Sequence, residues 1–121
     1  MLKVGTVVLG VEDMERAVAF WSDALGYARR DDAKDFVVLL PPGGAGPGVA
    51  FQRSSAPVQE VPRVHLDLYA GDAADQAAEV ERLVGLGARR VDWPHYPADP
   101  DFVVLADPEG NRFCVIDTAH G

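Results

Sequence analysis

An internal repeat limits the folds open to this chain more than any other feature of its sequence. Residues 101–117 are predicted to form a β-hairpin, because two runs of β-branched and aromatic residues flank a turn at 107–111 that contains Pro and Gly. The first of these runs, Phe-Val-Val-Leu at 102–105, also occurs at 36–39. The two halves of the chain are therefore predicted to be copies of one structural unit.

The repeat includes the predicted helices. In each half an Asp stands where a helix N-cap is expected, apolar residues follow at helical spacing, and a Gly ends the pattern. The matched pairs are Asp13 and Asp72, 59 residues apart, Gly26 and Gly87, 61 apart, Phe36 and Phe102, 66 apart, and Phe51 and Phe113, 62 apart. Since the offsets change only where helices and loops change length, each half is predicted to be a βαβββ module.

The predicted elements give one domain over residues 1–121, with module one at about 1–54, a connector at 55–62 and module two at 63–118. Strands are predicted at 2–10, 27–31, 35–40, 49–53, 63–69, 88–93, 102–105 and 113–116, and residues 41–48 are predicted to be a loop without helix or strand. Neither module can bury both faces of its sheet alone. The predicted fold class is α+β, in which two tandem βαβββ modules form a curved eight-stranded sheet around a cup-shaped cavity, with the helices on the outer face.

Composition and charge narrow the range of functions. A net charge of −8 leaves no basic surplus for phosphate contacts, so we do not expect a nucleic-acid partner. No apolar run is long enough to span a membrane, and the first residues enter a strand pattern rather than a signal peptide. The single cysteine excludes an internal disulfide framework and fits a reducing compartment, so a cytoplasmic location is expected.

The sequence resembles the vicinal oxygen chelate (VOC) superfamily, which includes glyoxalases, bleomycin-resistance proteins and extradiol dioxygenases. The residues that carry the resemblance are 11–21, 25–27, 65–68, 86–88 and 107–113. The resemblance implies a small glyoxalase-like domain, a homodimer, and a binding site at the base of the cup. In this superfamily each module typically contributes one metal ligand from its first strand and one from its last.

By motif position, the resemblance places the four ligand sites on Thr6, Gln52, His65 and Cys114. His65 is the full match, because Gln is only an occasional ligand, Thr is a poor one, and Cys stands where Glu is usual. Asp67 faces the same side as His65 by strand alternation and could be recruited. The implied cofactor is a divalent ion such as zinc, iron, manganese or nickel, bound by His65 with Gln52 and Cys114 as partners. The alternative is that these residues only line the cavity, with Cys114 as a small buried apolar residue.

The loop at 93–100 is the second candidate for ligand contact. It contains three prolines, and its aromatic side chains Trp93, His95 and Tyr96 are suited to recognition. We expect these rings to close over a bound molecule. The alternative is that Trp93 and Tyr96 cap the core. His120, near the C-terminus, is expected to be disordered.

These residues favour a protein that binds a small organic molecule in its cup, of the bleomycin-resistance, ligand-sequestering kind, with an incomplete metal site. The alternative is a metal-dependent enzyme, a lyase, isomerase or dioxygenase, that uses His65 with atypical ligands. A third possibility is an interaction scaffold whose cup has no ligand. Fold alone does not choose among them.

Overall fold

The computed structural model describes residues 1–121, which divide into two compact units, 1–57 and 58–121. The first unit contains β1 (Thr6–Val11), α1 (Met14–Leu25), β2 (Ala28–Arg29), β3 (Phe36–Leu40), a short 3-10 turn (Pro42–Gly44) and β4 (Gly48–Arg53). The second contains β5 (Leu66–Ala70), α2 (Ala73–Leu86), β6 (Arg89–Arg90), β7 (Phe102–Ala106) and β8 (Arg112–Asp117). Each unit is therefore a βαβββ module, and neither helix is long and apolar enough to cross a membrane.

The strands form two four-stranded sheets, in the order β1-β4-β3-β2 and β5-β8-β7-β6. In each sheet the first strand pairs in parallel with the last, and the remaining neighbours pair antiparallel. The predicted α+β class with two repeated modules is confirmed. The single eight-stranded sheet of the prediction is instead two four-stranded sheets, one in each unit.

Several predicted strands are shorter in the structure. β1 begins at Thr6 rather than at residue 2, β5 begins at Leu66 rather than at 63, and β6 contains only two residues. Pro94, Pro97 and Pro100 keep a strand from resuming after β6, since a proline has no N–H to donate to a ladder. The segment predicted as a loop contains a tight turn, in which the Gly44 amide donates to the Pro41 carbonyl at 2.9 Å and Gly43 has the non-helical φ of 74° that Pro-Gly turns require.

Both predicted helix starts and ends are confirmed. The Asp13 carboxylate accepts from the Arg16 amide at 3.1 Å, and that of Asp72 accepts from the Asp75 amide at 2.8 Å. Gly26 ends the first helix in the left-handed conformation, and Gly87 ends the second at a positive φ. These caps satisfy backbone groups that would otherwise have no partner.

The second sheet has a side that α2 covers and a side that it leaves open. Val80 and Leu83 of α2 are buried, as are Phe113 and Val115 of β8. Successive side chains of a strand point to opposite faces, so Cys114, which lies between Phe113 and Val115, faces away from the helix. Val84, near the end of α2, remains 36% exposed.

Candidate functional site

The open side of the second sheet contains a cavity of about 520 Å³. Its floor consists of alternate residues of three adjacent strands, paired in register across β5, β8 and β7. Asp67, Cys114 and Val104 form the middle rung, and Tyr69, Ile116 and Phe102 form the next. Arg112 and His65 lie at the opposite end, one step beyond the middle rung. Pro62, Trp93, His95 and Asp101 complete the lining.

Three potential ligand atoms lie together at the middle of this floor. His65 Nε2 is 3.0 Å from Asp67 Oδ1, and the Cys114 sulfur lies within 4.8 Å of both side chains' ligand atoms. The convergence follows from strand alternation, because Asp67 and Cys114 are paired in the β5–β8 ladder and His65 is two residues from Asp67. All three residues belong to the second unit.

The Cys114 thiol is held in its protonated form. Its pKa is raised from 9.0 to about 11, mainly by burial and also by the negative charge of Asp67 and a hydrogen bond to that carboxylate. Cys114 is only 7% exposed. A nucleophilic cysteine needs a lowered pKa, so the structure favours the interpretation of Cys114 as a small buried side chain.

The three donor atoms fit one class of metal better than others. An imidazole nitrogen, a carboxylate oxygen and a sulfur match the ligand preferences of zinc, which accepts three protein ligands and leaves a fourth position open. The hard ions magnesium and calcium prefer oxygen ligands only. Zinc binding would require the Cys114 thiol to lose its proton, so affinity for the metal would increase with pH.

Thr6 and Gln52, the ligand positions predicted in the first module, are not close neighbours. Both side chains point to the same face of the first sheet, but Thr6 is paired with Gly48 and Gln52 with Gly10. The two positions are thus four residues apart along the paired strands, or about 13 Å at the usual rise per residue. They do not form a ligand pair with each other.

The structure also corrects the alignment of the two modules. Asp67 is paired with Cys114, and its counterpart Val8 in the first module is paired with Ala50. Ala50, rather than Gln52, is therefore the structural equivalent of Cys114. The prediction was wrong by two residues because it matched Phe51 with Phe113, whereas the ladders match Phe51 with Val115.

The predicted aromatic loop contributes two of its three rings to the cavity. Trp93 and His95 line it, and their rings meet edge to face with centroids 5.3 Å apart. Tyr96 does not line it. Its ring lies 5.2 Å from that of Phe102, and its hydroxyl accepts a hydrogen bond of 2.7 Å from the Val104 amide.

Tyr96 has a structural reason for this position. The ladder between β6 and β7 covers only Leu105 and Ala106, so it ends before it reaches Val104. The Tyr96 hydroxyl provides an acceptor for the Val104 amide in place of a strand partner. The structure thus favours the alternative in which Tyr96 caps the core.

Two further findings were not anticipated from the sequence. Arg112 and Ile116 line the cavity, and both could have been found by counting two residues in either direction from Cys114. The expectation that His120 is disordered was wrong, since its Nε2 lies 3.0 Å from an Asp99 carboxylate oxygen. That contact joins the C-terminal residues to the loop at 93–100.

A family model for a glyoxalase-like domain matches residues 6–116, which is nearly the whole chain. The chain belongs to the glyoxalase-like domain family. The VOC resemblance seen in the sequence is thereby confirmed. No curated protein matches the sequence of this glyoxalase-like protein.

Several solved structures have a fold similar to that of this chain. A glyoxalase-related enzyme from Fulvimarina pelagi has a TM-score of 0.71 at 19% identity, over 96% of this chain and 88% of that one. A glyoxalase/bleomycin resistance protein/dioxygenase family enzyme from Burkholderia phytofirmans PsJN has a TM-score of 0.74 at 15% identity, over 94% and 97%. The fosfomycin resistance protein FosX from Listeria monocytogenes, in complex with Mn(II), has a TM-score of 0.69 at 16% identity, over 96% and 88%. At these identities the likeness concerns the fold.

The raised pKa of Cys114 predicts how the thiol reacts with iodoacetamide. Cys114 is the sole cysteine, so the alkylation rate reports on it alone. We expect slow alkylation at pH 8 and a rate that increases with pH up to about 11, the pKa of the thiol. Asp67→Asn removes a negative charge that disfavours the thiolate, so the pKa should fall and alkylation at pH 9 should become faster.

The matched control is Asp101→Asn, which neutralises another carboxylate of the same cavity that does not contribute to the shift. Equal rates for the two variants and the unaltered protein would show that Asp67 does not control the thiol.

The contact between Tyr96 and β7 predicts a loss of stability in Tyr96→Phe. The substitution keeps the ring but removes the acceptor for the Val104 amide, so the free energy of unfolding should fall by about 1 kcal/mol. Tyr69→Phe is the control, because Tyr69 is 80% exposed. Urea denaturation of both variants measures the difference. Equal stability of the two would contradict the capping role of the Tyr96 hydroxyl.

Proposed function

We propose that this glyoxalase-like protein binds a small organic molecule in the cavity of its second module, as a ligand-sequestering protein of the bleomycin-resistance kind. The observation that supports the proposal most directly is the cavity itself. Its volume of about 520 Å³ lies within the range of small-molecule sites. A mainly apolar wall with a few convergent polar groups is also the usual composition of such sites.

The arrangement of the lining suits a molecule with two chemically different parts. Trp93, Phe102 and Ile116 offer apolar and aromatic surface for the body of a ligand. At the other end, Arg112 offers hydrogen-bond donors and a permanent positive charge, and His65 lies beside it. Nothing in this arrangement requires a metal ion for binding.

The protonation state of the site favours binding over nucleophilic catalysis. Cys114 is held as a thiol well above neutral pH, so it is a poor nucleophile under ordinary conditions. The His65 imidazole is engaged with Asp67 at 3.0 Å, which fixes its orientation within the site. The homodimer and the cytoplasmic location implied by the sequence remain predictions.

A second candidate function is that of a divalent-metal-dependent VOC enzyme, a lyase, isomerase or dioxygenase. The observation that favours it is the cluster of His65, Asp67 and Cys114, whose donor set fits zinc. A bound ion would supply Lewis-acid polarisation of substrate oxygens. The three side chains would hold it, and the remaining lining would orient the substrate and exclude water.

Metal analysis separates the two candidates. We expect protein purified without added metal to contain far less than one equivalent of zinc, iron, manganese or nickel by elemental analysis. We also expect EDTA to leave the affinity for small aromatic ligands unchanged, since the cavity wall does not depend on an ion. Ligands are found by thermal shift, and Ile116→Trp, which fills the cavity, should abolish their effect.

The opposite outcome has a specific signature. About one metal ion per chain that is lost in His65→Ala, but retained in His95→Ala, would favour the enzyme over the metal-free binder. His95 is a suitable control because it lines the same cavity without belonging to the His65 cluster. If no ligand stabilises the protein with or without metal, the binding proposal fails.

A further inference from the structure

Arg112 is the one side chain with a permanent positive charge among those that line the cavity. It lies on β8, two residues before Cys114, and therefore on the open face of the sheet. Its Nη1 donates to the Gly110 carbonyl at 2.7 Å. Its Nε is buried and has no hydrogen-bond partner, the only buried side-chain nitrogen or oxygen in that condition.

Several other arginines of the chain are paired with carboxylates. Arg29 contacts Glu15 at 2.9 Å, Arg82 contacts Glu79 at 2.6 Å, and Arg90 contacts Glu81 at 2.6 Å. Arg112 has no such ion pair, and its one hydrogen bond goes to a backbone carbonyl. In a protein with a net charge of −8, an arginine that faces a cavity without a carboxylate partner is available for an external anion.

The neighbours of Arg112 agree with this interpretation. Leu66 is paired with Phe113, so His65 lies beside Arg112 at the same end of the cavity. The nearest carboxylate on the floor, Asp67, is already engaged with His65 at 3.0 Å. Asp101 precedes Phe102 at the far end of the floor. The end that contains Arg112 is therefore the one best suited to negative charge.

We propose that the molecule bound in this cavity is a small organic anion, with an apolar or aromatic body against Ile116 and Phe102 and a carboxylate, phosphonate or sulfonate held by Arg112. This inference rests on the proposed binding function and names its ligand class. The Nε and Nη2 atoms form the edge of a guanidinium that can bind two oxygens of one oxyanion. Nε is buried in the structure, so the guanidinium must rotate toward the cavity before it can bind an anion. A buried donor without a partner is unfavourable, and this favours the rotation.

The test uses pairs of ligands that share a ring and differ in charge. Benzoate, phenylphosphonate and benzenesulfonate are compared with the neutral benzamide, and quenching of tryptophan fluorescence gives each dissociation constant. Trp21 lies in the first unit and is only 1% exposed, so a change in fluorescence on ligand binding is assigned to Trp93, which lines the cavity. We expect at least one anion to bind more tightly than benzamide, and the preferred head group identifies the class of acid.

Variants at Arg112 assign the preference to this side chain. Arg112→Met should weaken binding of the preferred anion by roughly tenfold to a hundredfold, as expected for a lost charge-assisted pair, and leave benzamide unaffected. Arg112→Lys keeps the charge but loses the two-donor edge, so it should weaken binding less. Arg89→Met is the control, since it makes the same change at an exposed arginine on β6 outside the cavity.

Thermal unfolding separates recognition from a structural role. Arg112→Met removes a buried donor that has no partner, but also the hydrogen bond from Nη1 to the Gly110 carbonyl, so its melting temperature should stay close to that of the unaltered protein. A lower melting temperature together with equal weakening of benzoate and benzamide would show that Arg112 only supports the sheet. If Arg112→Met does not fold, Arg112→Lys provides the test instead. An anion affinity that is unchanged in Arg112→Lys would show that Nε and Nη2 do not hold the anion together.

The remaining outcomes distinguish the two proposals. If benzamide binds as tightly as the anions, the cavity binds small molecules but has no anion site, and only the present inference is contradicted. If none of the four ligands binds and the thermal-shift search is also negative, the proposed function itself fails, and this inference fails with it.

Discussion

The two-residue alternation of the β8 side chains is the constraint on which the second unit depends. β8 lies between β5 and β7, so each of its residues contacts neighbours on both sides. Phe113 and Val115 pack on the α2 side and hold the sheet on its helix. Arg112, Cys114 and Ile116 point the other way and form the middle of the cavity floor. A slip of one residue would exchange the two sets and remove both the core and the site.

The sequence predicted best those features that depend on residues close together in the chain. The two helices, their Asp caps and their Gly ends follow from local hydrogen bonding and backbone conformation, and the repeat predicted the βαβββ modules. Alternation within a strand was equally informative, since it placed Asp67 on the same face as His65. Both belong to the cluster that includes Cys114.

The features that the sequence did not predict depend on pairing between distant segments. The register of β4 against β1 makes Ala50 the counterpart of Cys114, and the match between Phe51 and Phe113 concealed it. The position of Tyr96 depends on where β6 ends, because beyond the end of the β6–β7 ladder the Val104 amide needs another acceptor. The role proposed for Arg112 depends on a buried Nε without a hydrogen-bond partner, and no pattern of residues in the sequence reveals that.

The most direct test of the central claim, that the open face of the second sheet binds the ligand, is a methyl NMR titration. Ile116 is the sole isoleucine, so labelling of isoleucine methyl groups gives one resonance from the cavity floor. With a ligand such as benzoate, we expect this resonance and those of the Val104 methyls to shift together, while those of Val103 and Val115 on the helix side stay in place. Shifts confined to Val103 and Val115, with none at Ile116, would show that the ligand does not bind on the open face.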